Sequence, residues 1–271
     1  MSDRRAQPAR QSWVVTVVNR RTAGVFAAAL AVILAVAATA AFADSFVGTS
    51  GPDRLAGTPA PDQLYGEDGD DTLEGLGGAD YMEGGPGADQ ISAASGADLV
   101  IGGTGNDRID VGTGADVVYA GANDDEILGG TGNDILLGQA GADRIFGGPG
   151  SDRLYAALGP DFVDGGAGRD RIIASEGDST LNGGADNDDI TANGGNFTVD
   201  GGAGNDVIQT GSGNDTIAGG AGIDVIYSSG GDDNVNVADG KRDTVFCGAG
   251  NDTVTFDKRD VVRNCEIKKR A

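Results

Sequence analysis

A chain of 271 residues with 49 glycines, 5% aromatic residues, no histidine and a formal charge of −23 is far from ordinary globular composition. The missing histidine excludes most zinc sites and every histidine-dependent triad. The acidity argues against a nucleic-acid partner, whose phosphates need Lys and Arg.

The amino terminus reads as a targeting segment. Arg4, Arg5, Arg10, Arg20 and Arg21 precede an uncharged run from Thr22 to Ala43 that ends in Ala41-Phe42-Ala43, with Ala38-Thr39-Ala40 as a second small-x-small site. A basic start, an apolar middle and an A-x-A end describe a secretory signal peptide over residues 1–43. An uncleaved anchor is the alternative, because about 20 apolar residues span a bilayer. Either way the remainder is expected outside the cytoplasm, secreted or held at the cell surface, with no membrane contact for a cleaved chain.

Residues 44–240 carry 36 Asp and Glu against six Arg and Lys, whereas residues 241–271 carry five against eight. The acidic segment keeps a strict beat. Aspartate occupies every ninth position from Asp53 to Asp170, then Asp188, Asp206, Asp215, Asp224 and Asp233, with Ser179 and Phe197 as the two interruptions. Two residues after each step stands an aliphatic residue or Met, from Leu55 to Val235. Two residues before it stands Gly, except at Ala60, Asn123 and Asp186. Asn and Asp are the residues that best tolerate positive φ after glycine, so this position calls for a left-handed backbone.

Such a nonapeptide is a glycine-rich turn followed by a short strand whose middle side chain points inward. Two nonapeptides make a coil of 18 residues, and stacked coils pair as parallel strands around a thin core. The fold class is therefore all-β: a parallel solenoid of about 21 nonapeptide repeats over residues 44–240. Spacing by 18 sorts the turns into two rows. One holds Asp62, Asp80, Asp98, Asp116, Asp134, Asp152, Asp170, Asp188, Asp206 and Asp224 without a break. The other holds Asp53, Asp71, Asp89, Asp107, Asp125, Asp143 and Asp161, then Ser179 and Phe197, then Asp215 and Asp233. A gap is thus expected on one edge, and an exposed Phe197 there would mark a partner-binding patch.

Gly102-Gly103-Thr104-Gly105-Asn106-Asp107-Arg108-Ile109 shows the full pattern, as do Gly129 to Leu136, Gly147 to Leu154, Gly201 to Ile208 and Gly219 to Ile226. It resembles the RTX or haemolysin-type calcium-binding nonapeptide, G-G-x-G-x-D-x-U-x, over residues 48–237. The resemblance implies a parallel β-roll with multiple Ca²⁺ ions held between turns 18 residues apart. The implied metal ligands are main-chain carbonyls and Asp71, Asp80, Asp89, Asp98, Asp107, Asp116, Asp125, Asp134, Asp143, Asp152, Asp161, Asp170, Asp188, Asp206, Asp215, Asp224 and Asp233. Calcium accepts six to eight hard oxygens in flexible geometry, which suits such a groove better than it suits magnesium. The thin core leaves the ordering of the chain dependent on the ions, so folding is expected to accompany calcium binding.

The tail breaks the beat by one residue, with Asp243 and Val245, then Asp252 and Val254. Solenoids need an atypical terminal unit, and residues 241–271 read as a cap covered by Phe246, Phe256 and Val261. Cys247 and Cys265 are the only cysteines and are expected to form a disulfide in an oxidising compartment, with two free thiols as the alternative.

No H-E-x-x-H or G-x-S-x-G occurs, and no room remains between residue 43 and the repeats for a catalytic domain, so an enzyme is not expected. The expected function is calcium binding by a secreted or surface roll. The alternative is an adhesion or matrix protein that presents one face to a partner. Ice binding would need one row of turn threonines, yet Thr104 lies in one row and Thr113 and Thr131 in the other.

Overall fold

The computed structural model describes residues 44–271; the expected signal peptide or anchor over residues 1–43 lies outside the described residues. The chain winds into two parallel sheets of 13 strands each, whose strands alternate along the chain, and Thr113–Gly114 pairs with Thr131–Gly132 as a short third sheet. One sheet runs from Ser45–Val47 to Val261–Arg263 and the other from Arg54–Ala56 to Ile267–Arg270. Leu64 pairs with Met82, Met82 with Val100 and Val100 with Val118, and this 18-residue register holds up to Asn236. The fold is the expected all-β parallel roll.

The repeat count is larger than expected. Thirteen coils require 26 strands in the two sheets, five more than the 21 nonapeptides. Asp44 and Phe46 extend the beat at the front through the strand Ser45–Val47. Four strands follow the last nonapeptide: Thr244–Ala249, Thr253–Phe256, Val261–Arg263 and Ile267–Arg270. Residues 241–271 therefore prolong both sheets before ending them. The break in the beat is one extra residue between Asn236 and Thr244, after which Thr244 pairs with Val225 and Thr253 with Asn234.

The middle residue of each strand points inward. From Leu64 to Val254 these side chains are at most 2% exposed and form one continuous apolar ladder between the sheets. A packed column one residue wide from each sheet is a thin core, so the turns at the two edges must also be held together. Glycine is indispensable where backbones of adjacent turns nearly touch. Gly132 has φ +149° and a β-carbon there would overlap the carbonyl of Gly114. Asn123 and Asp186 adopt φ of 84° and 76° at the equivalent position, as their residue types suggested. A second left-handed position lies two residues earlier and was not apparent from sequence, since Glu67, Leu76, Ala94, Gln139 and Ser229 occupy it in some turns.

Cys247 and Cys265 form a disulfide across the last coil, with Cα atoms 5.2 Å apart.

Candidate metal centre

The nine-residue beat places each aspartate at the entry to a strand, where its side chain turns back beneath its own glycine turn. All 17 aspartates expected as ligands are at most 3% exposed. Along each edge they form a ladder. Except at Asp161, the main-chain N–H of each of these aspartates donates to Oδ1 of the aspartate one coil later, as do Asp62 to Asp80, Asp80 to Asp98 and Asp188 to Asp206 in one row and Asp71 to Asp89 and Asp107 to Asp125 in the other. These five bonds measure 2.7–2.8 Å. A second ladder runs the opposite way through the residue before the aspartate. Asn205 N–H donates to Asn187 Oδ1 and Asn214 N–H to Asn196 Oδ1. This gives the Asn-Asp dipeptide a structural role in both directions.

The other carboxylate oxygen has no such partner. Oδ2 of each of the 17 aspartates is buried without a hydrogen bond. Burying an ionised carboxylate in this way is costly unless a cation or donor meets it. Asp53 and Asp62 differ, because their Oδ2 atoms accept from both the N–H and the hydroxyl of Thr49 and Thr58.

Where glycine stands five residues before the aspartate, a main-chain carbonyl of the next coil lies beside the orphaned oxygen in most turns. A β-carbon placed on Gly165 would sit 2.7 Å from Asp170 Oδ2 and 2.5 Å from the carbonyl oxygen of Gly183. On Gly147 it would sit 2.6 Å from Asp152 Oδ2 and 2.5 Å from Gly165 O. The glycine five residues before the aspartate thus opens a small cradle lined by a carboxylate of one coil and a carbonyl of the next. Among the described residues no three acidic, histidine or cysteine side chains converge as a metal cluster. A cation in the cradle would therefore take many of its oxygens from the main chain. That donor set of hard oxygens fits calcium, which accepts carbonyls freely and tolerates irregular geometry.

Electrostatics agree. Burial raises Asp98, Asp107, Asp125, Asp170, Asp188 and Asp224 to about 7, and Asp80, Asp89, Asp116, Asp152 and Asp161 to about 6. The N–H bonded to Oδ1 opposes the shift, while neighbouring aspartates of the ladder add to it. A file of buried carboxylates without counter-charge favours protons or cations.

The RTX calcium-binding nonapeptide repeat model, which describes four copies at a time, matches residues 47–82, 65–100, 74–109, 92–127, 101–136, 128–163, 164–196, 198–226 and 209–242. The chain belongs to this family. Its RTX repeats point to calcium as the cation, and the matches contain no catalytic domain. No curated protein is significantly similar to the chain.

Two site residues escaped the sequence reading. Asp243 and Asp252 are fully buried, their Oδ1 atoms accept from Asp224 and Asp233, and their Oδ2 atoms are orphaned. Their Asp-x-Val signature was visible, but the one-residue insertion took them out of phase. The interrupted edge also departs from expectation. Phe197 is 1% exposed, which removes the exposed aromatic patch proposed there. Its N–H still donates to Asp215 Oδ1, so it keeps the ladder geometry, and its ring joins the buried apolar core. Ser179 accepts from Asp161 N–H at 3.0 Å and donates to Gly159 O at 3.2 Å, replacing a charged ligand with a neutral, satisfied one.

Proposed function

We propose that this protein is a calcium-binding rod that folds as the ions load and works outside the cytoplasm. Its ligands are the Oδ2 atoms of the ladder aspartates from Asp71 to Asp233, joined by main-chain carbonyls. The observation that carries this reading is the file of buried, unpartnered Oδ2 atoms facing carbonyls. Among the described residues the ion pairs are Arg54–Glu74 and Arg108–Glu126, on the exposed surface of one sheet and away from those charges.

Equilibrium dialysis against calcium tests the proposal, with magnesium as competitor. Several ions per chain should bind, with affinities near the 10⁻⁴–10⁻³ M typical of extracellular modules. Failure to bind, or equal displacement by magnesium, would sink it. Export is tested separately by sequencing the amino terminus of protein recovered outside the cell, where Asp44 is the expected first residue.

A second reading, attachment to a partner, is favoured by one surface feature. Ile101, Tyr119, Leu137, Tyr155 and Ile173 pair in successive coils on the outer face of the first sheet, each half-buried. Open apolar surface of this kind marks interaction sites more often than solvent faces.

A further inference from the structure

The two edges of the roll are not equivalent, and the difference lies five residues before the aspartate. On the first edge Gly129, Gly147, Gly165, Gly183, Gly201 and Gly219 occupy that position in six successive coils. Gly147, Gly165, Gly183 and Gly201 each face Oδ2 and a carbonyl of the next coil, whereas Leu136 Cδ1 borders the space at Gly129 and Val237 Cγ1 borders it at Gly219. On the second edge the equivalent residues in the later coils are Ala156, Ala174, Ala192, Thr210, Ser228 and Cys247. All six are at most 1% exposed. A β-carbon at this position points at the same Oδ2 and the same carbonyl that define the cradle.

The hydroxyls go further than filling space. Thr210 donates to the carbonyl of Ser228 at 3.2 Å, and Ser228 donates to the carbonyl of Cys247 at 3.3 Å. These carbonyls hold the place that Gly183 O holds beside Gly165, one coil on at the same position. Each of these carbonyls thus already accepts a hydroxyl donor. Cys247 adds its disulfide to Cys265 in the same column, and Ser179 and Phe197 remove two carboxylates from it.

We propose that calcium occupies only turns with glycine five residues before an aspartate whose Oδ2 is unpartnered, and that the second edge from Asp161 onward is closed by its own side chains. The ions then form a long file along the later first edge, Asp134 to Asp224, and a short file along the early second edge, Asp71 to Asp107, with single sites at Asp80 and Asp143. The later second edge is held by apolar packing, hydroxyl bonds and the disulfide. Asp161, Asp215 and Asp233 are ladder residues there rather than ligands. The inference rests on the calcium reading above and narrows it.

Equilibrium dialysis of radioactive calcium at saturation, on the full chain, tests it with two conservative variants. Asp206→Asn and Asp215→Asn both keep Oδ1 for the ladder bond, from Asp188 N–H and Phe197 N–H respectively. The expected result is a loss of bound calcium in Asp206→Asn and wild-type stoichiometry in Asp215→Asn. Equal losses in the two variants, or no loss in Asp206→Asn, would overturn the proposal. If the wild-type chain binds no calcium, the functional reading itself fails, a result distinct from either. The reciprocal variant, Thr210→Gly with Ser228→Gly, should gain calcium while keeping its circular dichroism spectrum; a folded double variant without gain also overturns the proposal.

Discussion

Asp152 donates its main-chain N–H to Oδ1 of Asp170 at 2.8 Å, while Oδ2 of Asp170 stays buried and unpartnered. One carboxylate therefore does two separable jobs. Oδ1 ties adjacent coils together and Oδ2 faces the cradle. Asp170→Asn keeps the first and loses the second, whereas Asp170→Ala loses both and leaves a buried N–H unsatisfied. In calcium-saturated protein the alanine variant should be less stable than the asparagine variant by about 1–3 kcal/mol. Denaturant unfolding of the pair measures that difference, and equal stabilities would show the ladder bond to be idle.

Acid should rescue the ion-free roll. Asp98, Asp107, Asp170 and Asp188 are raised to about 7 by burial, against an ordinary value of 3.8. For a raised carboxyl the folded state holds its proton more tightly than the unfolded state. The resulting stability is present below the ordinary value and is lost as pH rises toward 7. In chelator, β-structure should thus be greater at pH 4 than at pH 8. Protons compete for the same oxygens, so the calcium midpoint should fall as pH rises from 5 to 8. Circular dichroism across the two titrations checks both signs.

Gly165→Ala should cost calcium without demanding a forbidden backbone angle, because Gly165 is not among the left-handed glycines. The new β-carbon meets Asp170 Oδ2 and Gly183 O. Isothermal titration should show fewer ions bound than in the wild type. An unchanged stoichiometry would mean that the cradle tolerates a methyl group.

Phe197→Ala removes a fully buried ring from the turn stack. Large-to-small changes of this kind cost about 3–5 kcal/mol, far beyond a surface substitution. Thermal unfolding in saturating calcium distinguishes the two.

Replacing Cys247 and Cys265 together by serine opens an 18-residue loop. The expected loss is about 3 kcal/mol, set mainly by the entropy of the unfolded chain. Reducing agent should reproduce it in the wild type and leave the variant unmoved.

Much of this fold was legible because its two repeating demands are both visible as residue types. An inward aliphatic and an entry aspartate at fixed spacing specify the strands, their faces and their parallel register. What stayed hidden has local causes. Glu67 and Leu76 sit at positive φ where most turns have glycine, so tertiary contacts override residue preference and mask the second left-handed position. One inserted residue before Thr244 took Asp243 and Asp252 out of phase. Phe197 interrupts a row of charges and so looked like a surface feature; its ring is instead buried with the apolar core. The asymmetry of the edges was written at a position where Gly, Ala, Thr and Ser look interchangeable until the cradle geometry is known.

The most direct test of the account is far-UV circular dichroism of residues 44–271 at pH 8 during calcium titration, with magnesium as the control. The account predicts a disordered spectrum in chelator that turns to β with calcium and not with magnesium. A β spectrum indifferent to calcium, chelator and magnesium would contradict it, and the buried aspartate ladder would then have to be held by something other than an ion.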